Sequence, residues 1–169
     1  MTPADSPLST PSAPLLDHLR PQLRRWPPFS AMRDEDVDAF LAQACQLYFE
    51  PCEVLIAPAH GVPESVFLLR QGTVQRRHGA AGTGDALAFG PGELLPLAAV
   101  LGRRPVSATY TALDDVFVLA IAASELEALA RRSPPLAEFL HGRIQALLAQ
   151  SQQALQLQLS SQALSQQAM

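Results

Sequence analysis

Phe89-Gly-Pro-Gly-Glu-Leu-Leu-Pro-Leu-Ala-Ala-Val-Leu-Gly-Arg-Arg-Pro-Val-Ser-Ala-Thr-Tyr110 is the stretch that decides how the rest of the chain is read. It opens on the turn Gly90-Pro91-Gly92, one fixed φ between two permissive residues. The apolar segment after it is one Pro96 can begin as a helix. A second turn falls at Gly102. Over residues 106–110 β-branched and aromatic residues alternate with small ones, as a half-buried strand requires. The unit predicted is strand end, turn, one helical turn, loop and strand.

On both sides of this unit, between residues 48 and 117, short apolar runs are divided by turn residues at the spacing of an all-β roll or barrel. Tyr48-Phe49 and residues 54–56 flank Glu50-Pro51-Cys52-Glu53. Residues 66–70 lead through Gln71-Gly72-Thr73 into a returning strand over 74–77, with Gly72 placed where other residues resist the backbone conformation. Residues 79–84 form a flexible tip and 86–89 the next strand. Residues 108–112 and 116–121 read as a closing hairpin around Leu113-Asp114-Asp115.

Further out the period becomes helical. Residues 1–14, rich in Pro, Ser and Thr, are expected to be a disordered leader. Leu15, Leu16, Leu19 and Leu23 keep helical spacing despite Pro21, and Trp26-Pro27-Pro28-Phe29-Ser30 breaks the chain and caps the next helix. That second helix is predicted over 32–47, its first turn carrying Asp34, Glu35 and Asp36 where the helix dipole favours acids; these are a helix start and not a metal site. After the strands, Ser124 and Glu127 predict a capping box for a helix over 126–132. Ser133-Pro134-Pro135 starts a longer helix, with Leu136, Leu140, Ile144, Leu147 and Leu148 on one stripe. It continues through residues 150–167, a segment of Gln, Ser, Ala and Leu without charge or proline, which is either a solvent-exposed tail or a face that packs on its twin.

The turn–helix–loop unit resembles the phosphate-binding cassette of the cyclic-nucleotide-binding domain, the β-roll of the catabolite activator protein and of protein kinase A regulatory subunits. The family pattern runs roughly Phe-Gly-Glu-Leu-Ala-Leu, a loop, then Pro-Arg-Ala-Ala-Thr. Laid on this chain without gaps, its Gly falls on Pro96, its Glu on Leu97, its Arg on Val106 and its Ala-Thr on Ala108-Thr109. The Gly72 turn between two strands and the Pro-Phe entry before the second helix match the family as well. The fold this implies is α+β and mainly β, a jelly-roll-like double-stranded β-helix over residues 48–122. N-terminal helices over 15–47 and C-terminal helices over 123–169 flank it, the last a long dimerisation or connector helix.

The same overlay implies a degenerate ligand site at Gly92, Glu93, Leu94, Pro96, Leu97, Arg103, Arg104, Val106 and Ser107. A buried cyclic phosphate needs a guanidinium and backbone amides, and its ribose a carboxylate. Leu97 offers no acceptor, Val106 no charge and Pro96 no N–H. Tight binding of cyclic AMP or cyclic GMP in the family's pose is therefore not expected, since an uncompensated buried phosphate costs several kcal/mol. The alternative is a nucleotide in a shifted pose, held by Arg103 or Arg104 and the amides near Gly92 and Leu94 if the loop is reset by two residues.

Composition narrows the function classes. A length of 169 residues with 48% apolar residues suffices for one cored domain with extensions. The net charge of −4, with all 12 basic residues arginine and no basic stripe, points away from nucleic acid. No apolar run approaches the roughly 20 residues that span a bilayer, and no signal peptide opens the chain. Cys45 and Cys52 lack partner histidines, so idle thiols in a reducing cytoplasm are expected. His18, His60, His78 and His141 are scattered and Ser65 and Ser107 lack a nucleophile context, so no enzymatic site and no metal site is composed. Arg76 and Arg77 read either as phosphate ligands or as the polar face of an exposed hairpin, and the second is expected because successive strand residues point to opposite faces. Phrases such as Trp26-Pro-Pro-Phe-Ser30 and Gln71-Gly-Thr-Val-Gln75, with the glutamine-bearing helix, resemble a bacterial subgroup. There the roll is the N-terminal regulatory module of a signal-transduction protein with CBS and nucleotidyltransferase domains. A homodimer through the C-terminal helix is the partner expected; a helix-turn-helix, needed for a transcription factor of the activator type, does not come after that helix.

Overall fold

Residues 65–69 and 116–121 are apolar at almost every position rather than at alternate ones, and the computed structural model shows the reason: their sheet is buried on both faces. The structure describes residues 13–78 and 86–167. Within them lie α1 (Ala13–Leu23), α2 (Asp34–Gln43), β1 (Cys45–Phe49), β2 (Val54–Ile56), β3 (Ser65–Gln71), β4 (Val74–His78), β5 (Ala86–Phe89), β6 (Leu94–Leu95), α3 (Leu97–Leu101), β7 (Ala108–Ala112), β8 (Val116–Ala122), α4 (Ala123–Arg132) and α5 (Pro134–Gln167). The strands form two four-stranded antiparallel sheets, ordered β1-β8-β3-β6 and β2-β7-β4-β5. This is the jelly-roll arrangement implied by the family pattern.

Each sheet feeds the roll, and the first also carries the helices. Leu69, Leu95, Val116 and Val118 point into the roll and meet Ile56, Val74, Val106 and Tyr110 of the opposite side. Their neighbours in sequence, Val66, Leu68, Leu94, Leu119 and Ile121, point the other way. They form a second core with Leu19 and Leu23 of α1, Val37, Phe40 and Leu41 of α2, Leu126 and Leu129 of α4, and Leu136 and Leu140 of α5. A strand buried on one side alternates; one buried on both sides cannot.

Polar ties set the helices. The Arg24 guanidinium donates to the carbonyls of Phe29 (3.1 Å) and Met32 (2.6 Å) and pairs with Asp34, fastening the Trp26-to-Met32 turn to the start of α2. Asp36 is the one acid of that first turn that is buried; it faces Arg33 at 3.4 Å and Arg132 at the end of α4 at 3.7 Å.

Several expectations are corrected here. The second helix ends at Gln43, not residue 47; residues 45–49 instead pair in register with β8, from Cys45 opposite Ala120 to Phe49 opposite Val116. Ser30 does not cap α2: the N-cap is Arg33. Ser124 lies inside α4, whose N-cap is Ala122 without a side-chain bond, so Ser124 comes too late to cap; the first amide of the helix, Ala123, donates instead to the Glu64 carbonyl (2.8 Å). The first helix starts at Ala13, two residues before the predicted onset. The leader up to residue 12 and the tip over 79–84 lie outside the described residues.

The largest correction concerns the expected closing hairpin. β3 and β4 do not pair with each other, nor do β7 and β8; each turn carries the chain from one sheet to the other. The two corners stack. The Thr73 amide donates to Asp114 Oδ1 (2.7 Å), and the Leu113 amide donates to the Thr73 carbonyl (2.9 Å). From β1, the Tyr48 hydroxyl closes the same corner by donating to Asp115 at 2.5 Å, and that bond, with partial burial and the nearby carboxylates, pushes its pKa up to about 12. Gly72 takes φ +95° at the point of contact. Among the described residues no helix is long and apolar enough to cross a membrane.

Candidate functional site

The cassette is built between the two cores, and its sequence explains which residue goes to which. β6 is only two residues long, pairing Leu94 with Leu68 and Leu95 with Phe67, so its two side chains must point to opposite sides. Leu94 joins the helix-side core and Leu95 the roll. Pro96 is the N-cap of α3, a five-residue helix that ends at Gly102.

Leu97, on the position of the family's glutamate, is 8% exposed and lies with Leu94 and Val100 in the helix-side core. Val106, on the position of the family's arginine, is 5% exposed and lies in the roll with Leu95 and Ala99 packed beside it. The two positions that would have to converge on one phosphoribose are apolar, buried, and turned into different cores.

The remaining cassette residues are occupied with structure. Gly92 (φ +93°) lies against the Trp26 indole, which would stand 2.8 Å from any added Cβ, and its amide donates to the Leu69 carbonyl at 2.8 Å. The Glu93 carbonyl accepts from the Leu69 amide at 2.9 Å, while its carboxylate reaches out to Arg143 of α5 at 3.5 Å. Arg143 also lies over the Phe139 ring at 5.3 Å. The cassette is thus tied to β3 by its backbone, to the Trp26 turn by close approach and to α5 by an ion pair. Ser107 is exposed.

Arg103 and Arg104 both stand in the exposed loop after α3. Arg103 has φ +50°, is 81% exposed and faces Glu127 of α4 at 3.8 Å. Arg104 lies back along Gly102, and its amide donates to the Ala99 carbonyl.

A different arginine points into the roll. Alternation along β4 requires that one of Arg76 and Arg77 face in and one out, and the register decides which. Arg76 is paired with Leu87 and Tyr110, on the same face as Val74, which stands opposite Phe89 and Ala112. The Arg76 guanidinium lies 5.5 Å from the centre of the Phe89 ring. The reading of both arginines as a polar outer face is therefore corrected for Arg76. Periodicity alone held the signal, but not its phase.

Among the described residues no cluster of His, Cys, Asp and Glu is placed to hold a metal ion, and Cys45 and Cys52 are free thiols. Burial raises the Cys45 thiol pKa. His60 accepts from the Ala57 amide and His141 faces Gln145. Among the described residues a concavity of about 330 Å³ lies between α2 and α4 and another of about 600 Å³ beside Tyr48 and Cys52; neither includes a cassette residue.

A sequence model of the cyclic nucleotide-binding domain matches residues 46–133, just over half of the chain. Comparison with curated proteins finds no match. Among solved structures, the chain is similar to the catabolite activator protein of Thermus thermophilus (24% identity, TM-score 0.65, 80% of this chain and 62% of that one). It is also similar to the N-terminal domain of a transcriptional regulator from Streptomyces coelicolor (25%, TM-score 0.59, 79% and 96%). A third likeness is to the regulatory domain of Toxoplasma gondii protein kinase A, solved with cAMP (18%, TM-score 0.61, 70% and 46%). The chain thus spans under two thirds of the first and third of these proteins.

Proposed function

The chain belongs to the cyclic-nucleotide-binding domain family, and from that premise we propose that it is a regulatory module whose cassette transmits through protein contacts and does not hold a cyclic phosphate in the family's pose. The observation that carries this reading is the burial of Leu97 and Val106 in separate cores. A cyclic phosphate placed between them would meet neither a cation nor a carboxylate, at a cost of several kcal/mol. The Glu93–Arg143 pair supports the second half of the reading, since it joins the cassette to the helix that leaves the domain.

Isothermal titration with cyclic AMP, cyclic GMP, cyclic dinucleotides and ATP tests it, with Arg104→Ala beside the unsubstituted chain. No saturable heat is the expected result. Micromolar binding abolished by Arg104→Ala would replace this reading with a receptor for a nucleotide in a shifted pose.

The output proposed is a homodimer through α5, in the cytoplasm, with CBS and nucleotidyltransferase domains downstream as in the subgroup whose sequence phrases the chain resembles. Leu148, Leu155 and Leu159 are 56%, 59% and 66% exposed, and their spacing of seven and four residues puts them on one face of the helix. By light scattering the chain is expected to have twice its monomer mass, and the double substitution Leu155→Glu with Leu159→Glu is expected to halve it. An unchanged mass in the variant would remove α5 from the interface.

A further inference from the structure

Arg76 is half-buried on the inward face of β4, and among the described residues no carboxylate answers its charge. Its Nε is fully buried without a hydrogen-bond partner. None of the ion pairs among the described residues involves it. What surrounds it is aromatic. Phe89 and Tyr110 have ring centres 6.2 Å apart, and the guanidinium lies over Phe89. Burial pushes the Tyr110 pKa up, and the charge of Arg76 with a hydrogen bond to it draws it back. A guanidinium nitrogen buried without a hydrogen-bond partner is costly, and an acceptor that reaches the Arg76 Nε would relieve that cost.

The site is reachable. On the same inward face Leu87 is 47% exposed, and β5 as a whole forms the open edge of its sheet. Leu95 and Val106 fill the roll at the cassette end, whereas along β5 Ala86, Leu87 and Ala88 are exposed. A ligand entering there would meet a fork of N–H donors, the Tyr110 hydroxyl and two ring faces. Arginine suits this role because its planar fork bonds two oxygens of one oxyanion while lying on an aromatic ring.

We infer that the open side of the roll binds a small organic anion, a carboxylate or phosphate monoester on a flat apolar body, with its head on Arg76 and its body against Phe89 and Tyr110. This goes beyond the regulatory reading above and does not depend on it: the cation is on a strand, not in the cassette, and the ligand is smaller than a nucleotide.

Phenyl phosphate and benzoate are the probes, monitored through the ring resonances of Phe89 and Tyr110 in the full chain. Saturable shifts with one or both are expected; which probe shifts them tells whether the head is a phosphate or a carboxylate. Arg76→Met keeps the apolar stem and should weaken binding at least tenfold, whereas Arg104→Ala should leave it unchanged. Contacts from the phenyl phosphate ring to Phe89 and Tyr110 in the unsubstituted chain give the answer even if Arg76→Met does not fold. Absence of saturable shifts with both probes, equal affinity in a folded Arg76→Met, or ring contacts only elsewhere on the protein would each overturn the assignment.

Discussion

Gly72→Ala is expected to destabilise the domain by about 3 kcal/mol or more, lowering the midpoint of thermal unfolding by on the order of 10 °C. Two separate penalties add. With φ at +95°, Gly72 holds a backbone conformation that a side chain resists. An added Cβ would also stand 2.3 Å from the Asp115 carbonyl oxygen and 2.9 Å from Asp114 Oδ1 and a Val116 methyl. The carbonyl is backbone and cannot swing aside. Relief requires parting the two corners, which sacrifices the bonds from Thr73 to Asp114 and from Leu113 to Thr73. Alanine elsewhere in a turn usually stabilises by restricting the unfolded chain, so the sign of the effect is itself informative. A midpoint within about 2 °C of the unsubstituted protein, read by circular dichroism, would show that the corners do not stack as described.

Val106→Arg, which writes the family's arginine back into the cassette, is expected to cost about 3–5 kcal/mol and to bring no affinity for cyclic AMP. The site is 5% exposed and surrounded by Leu95, Ala99 and other apolar groups of the roll, so the new charge is buried without a partner. Adding Leu97→Glu should not rescue it. Leu97 faces the helix-side core, so its carboxylate would be buried on the other side of the cassette and would not meet the guanidinium. The coupling energy from the double-mutant cycle is therefore expected to lie within about 0.5 kcal/mol of zero, as for independent sites. A large favourable coupling in urea unfolding, accompanied by nucleotide binding, would mean that the cassette keeps the family's geometry and lacks only its charges.

The elements that sequence reading located best are those whose cause is local. The strands β2 to β5, the single helical turn of α3 and the Ser133-Pro134-Pro135 start of α5 arise from alternation, turn residues and proline. What it misplaced depends on partners far along the chain. Ala44 and Leu47 fit a helical period as well as a strand, and only pairing with β8 makes residues 45–49 extended. An Asp-rich turn between two apolar runs looks the same whether the runs pair or cross to opposite sheets, which is why Leu113-Asp114-Asp115 read as a hairpin. At the cassette, the overlay with the family named the positions where charge is absent. That Leu97 and Val106 enter different cores depends on how α3 and the loop after it lie between the two cores, which no residue type announces. Arg76 was visible only as one of a pair.

The ion pair between Glu93 and Arg143 sits ten residues into a helix that runs on to Gln167. The part of α5 beyond that contact is roughly 36 Å long at 1.5 Å per residue. Tilting the helix by about 10° around the contact would sweep its far end through ~6 Å, so the cassette grips a lever near its fulcrum. A displacement too small to notice in the roll becomes, at the far end of the helix, the width of a side chain.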